Sequence, residues 1–201
     1  QTDKINPKTP PTKDIFFKKE NTPNAAPTQK IKQIHSDSIN RKPDLYGGNM
    51  FFDGNVEFQH NGAVLTANRV VFYQKENFVK AIGNVVLVTS DGNRITAEEM
   101  EYDGETQRGI ARKNVVLTDP KQTISTDVLY YDRVKNTAYF NSGGTINDGR
   151  NTMWTQSATY FIDSKTNEFT NNYTIDNAQY RVEGKNIKQA ITEPFLNFFR
   201  K

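Results

Sequence analysis

Apolar residues recur along this chain in a fixed register. Aligned on the first apolar position, four segments read Leu65-x-Ala67-x-x-Val70-x-Phe72, Ile95-x-Ala97-x-x-Met100-x-Tyr102, Ile124-x-Thr126-x-x-Leu129-x-Tyr131 and Met153-x-Thr155-x-x-Ala158-x-Tyr160. Weaker copies open at Ile34, with Ser36 and Ile39, and at Val182, with Gly184 and Ile187. The openings lie 31, 30, 29, 29 and 29 residues apart, a period that signals a repeat architecture. A second motif keeps the same period: Gly54-Asn55-Val56-Glu57-Phe58, Gly83-Asn84-Val85-Val86-Leu87 and Lys113-Asn114-Val115-Val116-Leu117 are near-copies. Ser142–Ile146 and Asn171–Ile175 are degraded ones. Positions one and three after the Asn are apolar while the residue between them varies. Val56/Phe58, Val85/Leu87 and Val115/Leu117 are therefore expected to point inward from β-strands.

The first motif has an offset built in. Leu65 and Ala67 are two apart, as are Val70 and Phe72, but Ala67 and Val70 are three apart. An extra residue at that point, as a bulge or sharp bend, returns both pairs to one side. Because the offset recurs in each copy, it predicts a fold line at which every strand bends. Between the motifs lie the polar stretches 74–77, 103–107, 132–136 and 163–167, and the pairs Asn61-Gly62, Asp91-Gly92, Asp119-Pro120 and Asp148-Gly149. Such residues supply the backbone angles of tight turns, and connections this short favour antiparallel neighbours. Two strands per repeat predict about twelve strands, stacked over about 55 Å at about 4.8 Å each. Bent strands in one register make a trough of two curved sheets. Its predicted lining is Leu65, Val70, Phe72, Val85, Leu87, Ile95, Met100, Tyr102, Val115, Leu117, Ile124, Leu129, Tyr131 and Tyr160. A continuous apolar lining matches a long alkyl ligand, each buried methylene contributing about 0.8 kcal/mol. The alternative is that these side chains pack on one another as a closed, dry core.

Composition narrows the classes. With 201 residues, 35% of them hydrophobic, nine Tyr and thirteen Phe, the chain suits one large β domain plus a tail. A net charge of +3, spread through the repeats, does not indicate nucleic-acid binding by bulk charge. There is no Cys, so thiol chemistry and cysteine-based metal sites are excluded. No apolar run approaches the roughly 18–20 residues that cross a bilayer as a helix. The chain opens at Gln1 without Met, as expected of a trimmed or mature protein whose signal peptide is gone. Residues 1–30, with Pro7, Pro10, Pro11, Pro23 and Pro27, read as a Pro-rich disordered arm, within which Ile15-Phe16-Phe17 could pack on something. Residues 31–201 are the predicted β domain, ending in the apolar strand start Glu193–Lys201, which reads as either a truncation or an unpaired edge that needs a partner.

No catalytic constellation emerges. His35 and His60 are the only histidines, in non-equivalent positions and without a carboxylate cluster at ligand spacing. Gly-x-Ser-x-Gly, Gly-x-Gly-x-x-Gly and P-loop patterns are absent. Glu98, Glu99 and Glu101 read as a solvated face, and the Gly-Asn pairs as turn-to-strand punctuation. The expectation is a non-enzyme with no catalytic residue, metal or cofactor. A carbohydrate-binding or hydrolytic domain would need an exposed aromatic platform or paired carboxylates, for which Trp154 alone is slight support.

The tandem Gly-Asn-Val-x-Leu units joined to Ile-x-Ala-x-x-Met-x-Tyr-Asp units resemble the OstA-like family, which includes the lipopolysaccharide-transport protein LptA and the periplasmic domain of LptD. Ile34–Ser38 and Tyr139–Ile146 are most similar to OstA-like proteins of Bacteroidetes-type bacteria. The resemblance covers about residues 31–190. It implies an all-β, open, twisted antiparallel β-jellyroll (a β-taco) of tandem two-strand repeats, located in the periplasm. It also implies that lipid A acyl chains of lipopolysaccharide lie in the trough, and that end-to-end β-strand pairing with other transport components or with itself forms a bridge between membranes. Arg69, Lys80, Arg94, Arg108, Arg112 and Lys113 are then candidates to meet lipid A phosphates at the open seam. The chain departs from the pattern in its Pro-rich arm and at Gly143-Gly144, which replace the Gly-Asn pair; the second departure bears on the continuity of the lining there.

Overall fold

The computed structural model describes residues 10–20, 28–176 and 181–185. Apart from two one-turn 3-10 helices, Ile15–Phe17 and Tyr46–Gly48, its regular structure is all β-strand. In chain order these are β1 (Lys32–His35), β2 (Ser38–Arg41), β3 (Met50–His60), β4 (Ala63–Tyr73), β5 (Phe78–Val88), β6 (Arg94–Asp103), β7 (Arg108–Thr118), β8 (Thr123–Asp132), β9 (Thr137–Phe140), β10 (Gly144–Asn147), β11 (Thr152–Phe161), β12 (Thr166–Asp176) and β13 (Arg181–Lys185). Thirteen strands form one antiparallel sheet in which sequence neighbours pair from β2 to β9 and from β10 to β13, as the short turns require. β1 and β2 both pair with β3, and β9 and β10 both lie between β8 and β11. The repeat unit that opens at Val182 runs partly, and the segment Glu193–Lys201 wholly, outside the described residues.

The fold line lies where the period placed it, but the extra residue lies on the neighbouring strand. Ile82 pairs with Glu99 and Val85 with Ala97, so Gly83 and Asn84 together stand opposite Glu98 alone. Gly54-Asn55 face Asn68 in the same way, and Lys113-Asn114 face Asp127. Each pair is left-handed at both residues, with φ of +75° and +47°, +78° and +48°, and +66° and +52°. That conformation suits Gly, which has no Cβ, and Asn, whose short side chain tolerates it. The insertion is thus carried by the Gly-Asn motif itself, while Ala67 to Val70 crosses the crease as an ordinary run. Side-chain amides tie adjacent strands along the line, Asn55 donating to Asp37 at 3.0 Å and Asn84 to Asn68 at 3.4 Å.

Folding the sheet in two brings its halves face to face over one apolar cluster. Ala67, Ala81, Ala97 and Ala111 flank the crease, where the walls converge, while Phe72, Tyr102, Tyr131 and Tyr160 sit at the rim. Phe58 of one wall meets Phe72 of the other edge-on at 5.3 Å. At Gly143-Gly144 the lining is continuous, with Phe140 and Ile146 both buried.

A second apolar cluster lies on the outer face, around Phe51, Val71, Tyr73, Phe78 and Ile110. Residues 10–20 cover it, so the reading of all of 1–30 as disordered does not hold for this stretch. Phe17 is buried there, 5.3 Å edge-on from Phe78, and Phe16 is 5.3 Å from Tyr130. Arg108 donates to the carbonyls of Phe16 and Lys18 at 3.2 Å each, and Lys13 pairs with the buried Asp103 at 2.8 Å. The outer face would otherwise expose five large apolar side chains to water, and an apolar triplet in a polar arm relieves that cost.

Candidate functional site

All fourteen predicted lining residues fall in the interior cluster, none more than 8% exposed. The structure adds Ile146 and Met153, which the period marks but which stand outside those fourteen, and a set the period did not single out: Ile31, Phe52, Ala63, Val79, Ala81, Ala111, Ala138, Phe140, Ile162 and Phe169. Several of these stand before the Gly-Asn pair of their repeat, where two-residue alternation, as in Val79-x-Ala81 and Ala138-x-Phe140, was the available signal. The two walls touch. An interior cavity bounded by Ile31, Phe58, His60, Leu65, Leu87 and Tyr102 has a volume of about 10 Å³, room for at most a single water. At the β1/β2 end a wider hollow of about 500 Å³ opens between Ile31, Ile34, Ile39, Met50, Phe52 and Phe72.

Opposite the crease, the two rows of hairpins meet in a polar seam. The tyrosine that ends each repeat motif reaches across it to a hairpin of the other row. Tyr102 Oη lies 2.9 Å from His60 Nδ1. Tyr131 hydrogen-bonds with Thr89 and Asn93, and Tyr160 donates to the Asp119 carboxylate. Between them, Asn61 Nδ2 donates to Gln107 at 3.0 Å, Arg133 to the carbonyls of His60 and Asn61 at 3.0 and 2.7 Å, and Asn167 Nδ2 to Gln122 at 2.9 Å. Lys165 completes the Asp119 contact at 3.3 Å. The first repeat has Phe72 in the tyrosine's place, with no hydroxyl to offer, and it lines the open hollow.

The electrostatics follow from burial. His60 Nε2 lies 3.0 Å from the Gln29 carbonyl, which only accepts, so Nε2 carries the hydrogen and Nδ1 accepts from Tyr102. Burial holds the His60 ring below its usual value, and the Arg133 charge adds to this. Burial, with the Asp91 charge, pushes the Tyr131 hydroxyl up to about 12; burial and then the bond to Asp119 raise Tyr160. For Asp119, burial acts upward but is outweighed by hydrogen bonds from Tyr160 and the Lys121 and Gln122 amides, so its value falls. The tyrosines therefore keep their protons and serve as donors.

Five of the six basic residues expected at the seam are engaged elsewhere. Arg69 is bidentate on Asp53, Lys80 and Arg112 both hold Glu101, Arg108 holds Asp132 and Glu20, and Lys113 holds Glu99. Apart from the Arg108 bond to Glu20 of the arm, these are cross-strand ion pairs. The seam cations are Arg133 and Lys165 instead, which sit in turns where no repeated pattern marks them. Among the described residues, no group of three or more His, Asp or Glu is placed to hold a metal ion.

A family model described as OstA-like protein matches residues 28–185. The LPS-assembly protein LptD of a Polaromonas species is 32% identical over 82 residues, which is 41% of this chain and 10% of that protein. This chain thus matches about a tenth of its curated relative. Among solved structures, LptH of Pseudomonas aeruginosa is described as the LptA homologous periplasmic component of the lipopolysaccharide transport device. It is 14% identical, with 83% of this chain and 96% of that chain covered and a TM-score of 0.31. A mutant of the TCP10 domain of Danio rerio CPAP is 12% identical, with 69% and 95% covered and a TM-score of 0.14. Both scores are too low for either structure to inform the fold or function of this chain.

Proposed function

The chain belongs to the OstA-like protein family, and from that membership we propose that it is a non-enzymatic periplasmic protein that binds lipopolysaccharide and passes it between membranes, shielding the lipid A acyl chains. The observation that carries this reading is the interior: one apolar surface in one register through every repeat, closed on its long side only by polar contacts. Acyl chains enter by parting the seam, beginning at the hollow beside Phe72. Opening breaks the three tyrosine contacts, the Asn61–Gln107 and Gln122–Asn167 pairs, the two Arg133 bonds and the Lys165–Asp119 pair, roughly 8 kcal/mol at about 1 kcal/mol each. Burial of about ten methylenes offsets that. Equivalent positions in successive repeats then offer near-equal binding, so movement along the trough meets low barriers. At the first edge, β1 and β2 are short, and Ile39 is 61% exposed. Such an edge suits backbone pairing with a transport component or a second copy.

Photo-crosslinkers at Leu117 and Tyr102, which face inward, should capture lipopolysaccharide in cells. Capture confined to the outward neighbours Val116 and Glu101 would sink the proposal. The walls' mutual burial favours a second reading, a structural β-repeat protein with a dry core. Purified protein distinguishes the two, since a permanently closed core takes up no long-chain amphiphile.

A further inference from the structure

The outer face carries a feature that the interior does not explain. The residue after the first apolar position of the repeat points outward; it is Thr66, Thr96 and Ser125 in three repeats but Trp154 in the fourth. Thr145 pairs with Ser125 on one side and Trp154 on the other, so the three form one outer row. Beside that row the sheet is broken, since β9 ends at Phe140 and β10 starts at Gly144. The break leaves a groove of about 480 Å³, bordered by Trp154, Asp127, Ser125, Thr145 and Gln156. Trp154 is 42% exposed, and Gly143 packs against the edge of its indole with no side chain to cover it.

The repeat explains why Asp127 is available. Asn68, Glu98 and Asp127 hold the same crease position in successive units. Asn68 accepts from Asn84 and Glu98 from Asn114. The next unit has Gly143-Gly144 where a Gly-Asn pair would stand, so no amide of β9 or β10 reaches Asp127. The Asp127 carboxylate and the Ser125 and Thr145 hydroxyls make no hydrogen bond or ion pair among the described residues. An exposed indole and unpaired polar groups thus border one groove, which is the composition of a site for an amphipathic ring. A pyranose fits this chemistry: its C–H face lies on an indole, and its hydroxyls donate to a carboxylate and exchange hydrogen bonds with side-chain hydroxyls. An apolar segment would bury Asp127 unpaired, at a high desolvation cost.

We propose that this groove is a saccharide-binding site, with a pyranose ring stacked on Trp154 and hydrogen-bonded to Asp127. The site is separate from the interior and does not depend on its holding lipid. Trp154 is the only tryptophan, so its emission reports on the groove directly. Two glycans serve as probes: core oligosaccharide freed from lipopolysaccharide by mild acid, which has no acyl chain, and the N-acetylglucosamine–N-acetylmuramic acid disaccharide of the cell wall. At least one should give a saturable emission change, and the one that does identifies the source of the sugar. Asp127→Asn, with an unchanged circular dichroism spectrum, should shift the midpoint by about tenfold, as expected for loss of a charge-assisted hydrogen bond. No emission change with either glycan, a response to intact lipopolysaccharide alone, or an Asp127→Asn titration matching the wild type would each overturn the proposal.

Discussion

The Tyr102 hydroxyl and His60 Nδ1, 2.9 Å apart, join the two walls across the open side of the folded sheet. They belong to a chain in which Arg133 donates to Tyr102 at 2.9 Å, Tyr102 to His60, and His60 to the Gln29 carbonyl. The same tyrosine position reaches the opposite row from Tyr131 and Tyr160, each time to a different partner.

Removing one hydroxyl leaves buried partners unsatisfied without emptying the core. Tyr102→Phe and Tyr160→Phe should each lower unfolding stability by about 1–3 kcal/mol, with the larger loss at Tyr160, whose acceptor is a carboxylate. Tyr130→Phe, on the outer face, should stay within about 0.5 kcal/mol of the wild type. Urea denaturation measures all three. Equal effects at Tyr130 and Tyr102 would deny the seam its role.

The seam should also loosen in mild acid. The folded His60 ring titrates below its ordinary 6.5, chiefly because it is buried, with Arg133 adding to the effect and Glu105 and Asp103 acting against it. The unfolded chain therefore takes up the proton first. This contribution to stability is fully present above about pH 6.5 and is lost as the pH falls through the lowered value. Glu105 has its own window. Burial would raise it, but bonds from Thr28, Lys30 and Asn77 hold it at about 2, so its contribution is lost only in stronger acid. Protection factors at Asn61, Gly62 and Gln107, which allow for the intrinsic slowing of amide exchange in acid, should fall between about pH 7.5 and pH 5, and His60→Gln should flatten that response.

The crease gives a prediction of opposite sign in two repeats. Gly83 has φ +78°, and an added Cβ would stand 2.8 Å from Asn68 Nδ2, which can turn away, and 3.2 Å from Asn68 Cβ, which must give by a few tenths of an ångström. The cost of Gly83→Ala is therefore mainly left-handed backbone strain, about 1–2 kcal/mol. Lys113 already bears that strain at φ +66°. Lys113→Gly should regain up to about 1 kcal/mol, less the small value of its exposed pair with Glu99. Thermal unfolding of the two variants tests the pair, and stabilisation by Gly83→Ala would contradict the crease geometry.

What could be read from the chain beforehand was whatever repeats. Val85, Leu87, Met100 and Tyr102 recur one period on as Val115, Leu117, Leu129 and Tyr131, and the burial of one set carries the others. The seam could not be read that way. Its tyrosines were legible only as apolar lining, and their partners His60, Thr89, Asn93 and Asp119 belong to strand ends and turns of unlike sequence. Phe16 and Phe17 have no period at all, and the apolar face they cover is formed by outward positions of four strands that only the register brings together. The extra residue of the crease was assigned to the wrong strand because spacing alone records a change of face, whereas φ shows which residues turn.

If the seam is the route by which acyl chains enter, holding it shut must abolish uptake while leaving the fold intact. Asn61 and Gln107 face each other across it at 3.0 Å, and the chain has no cysteine of its own, so Asn61→Cys with Gln107→Cys places two unique thiols on opposite rims. A short bis-methanethiosulfonate linker joins them reversibly. The reduced double variant should bind a long-chain amphiphile as the wild type does, apart from a modest gain in opening, since one of roughly eight seam contacts is already gone. The linked form should bind none until reductant restores it. Each single-cysteine variant, treated identically, should be indifferent to the linker. Undiminished binding by the linked protein would mean that lipid reaches the interior from the ends of the sheet, with the tyrosine contacts serving stability alone.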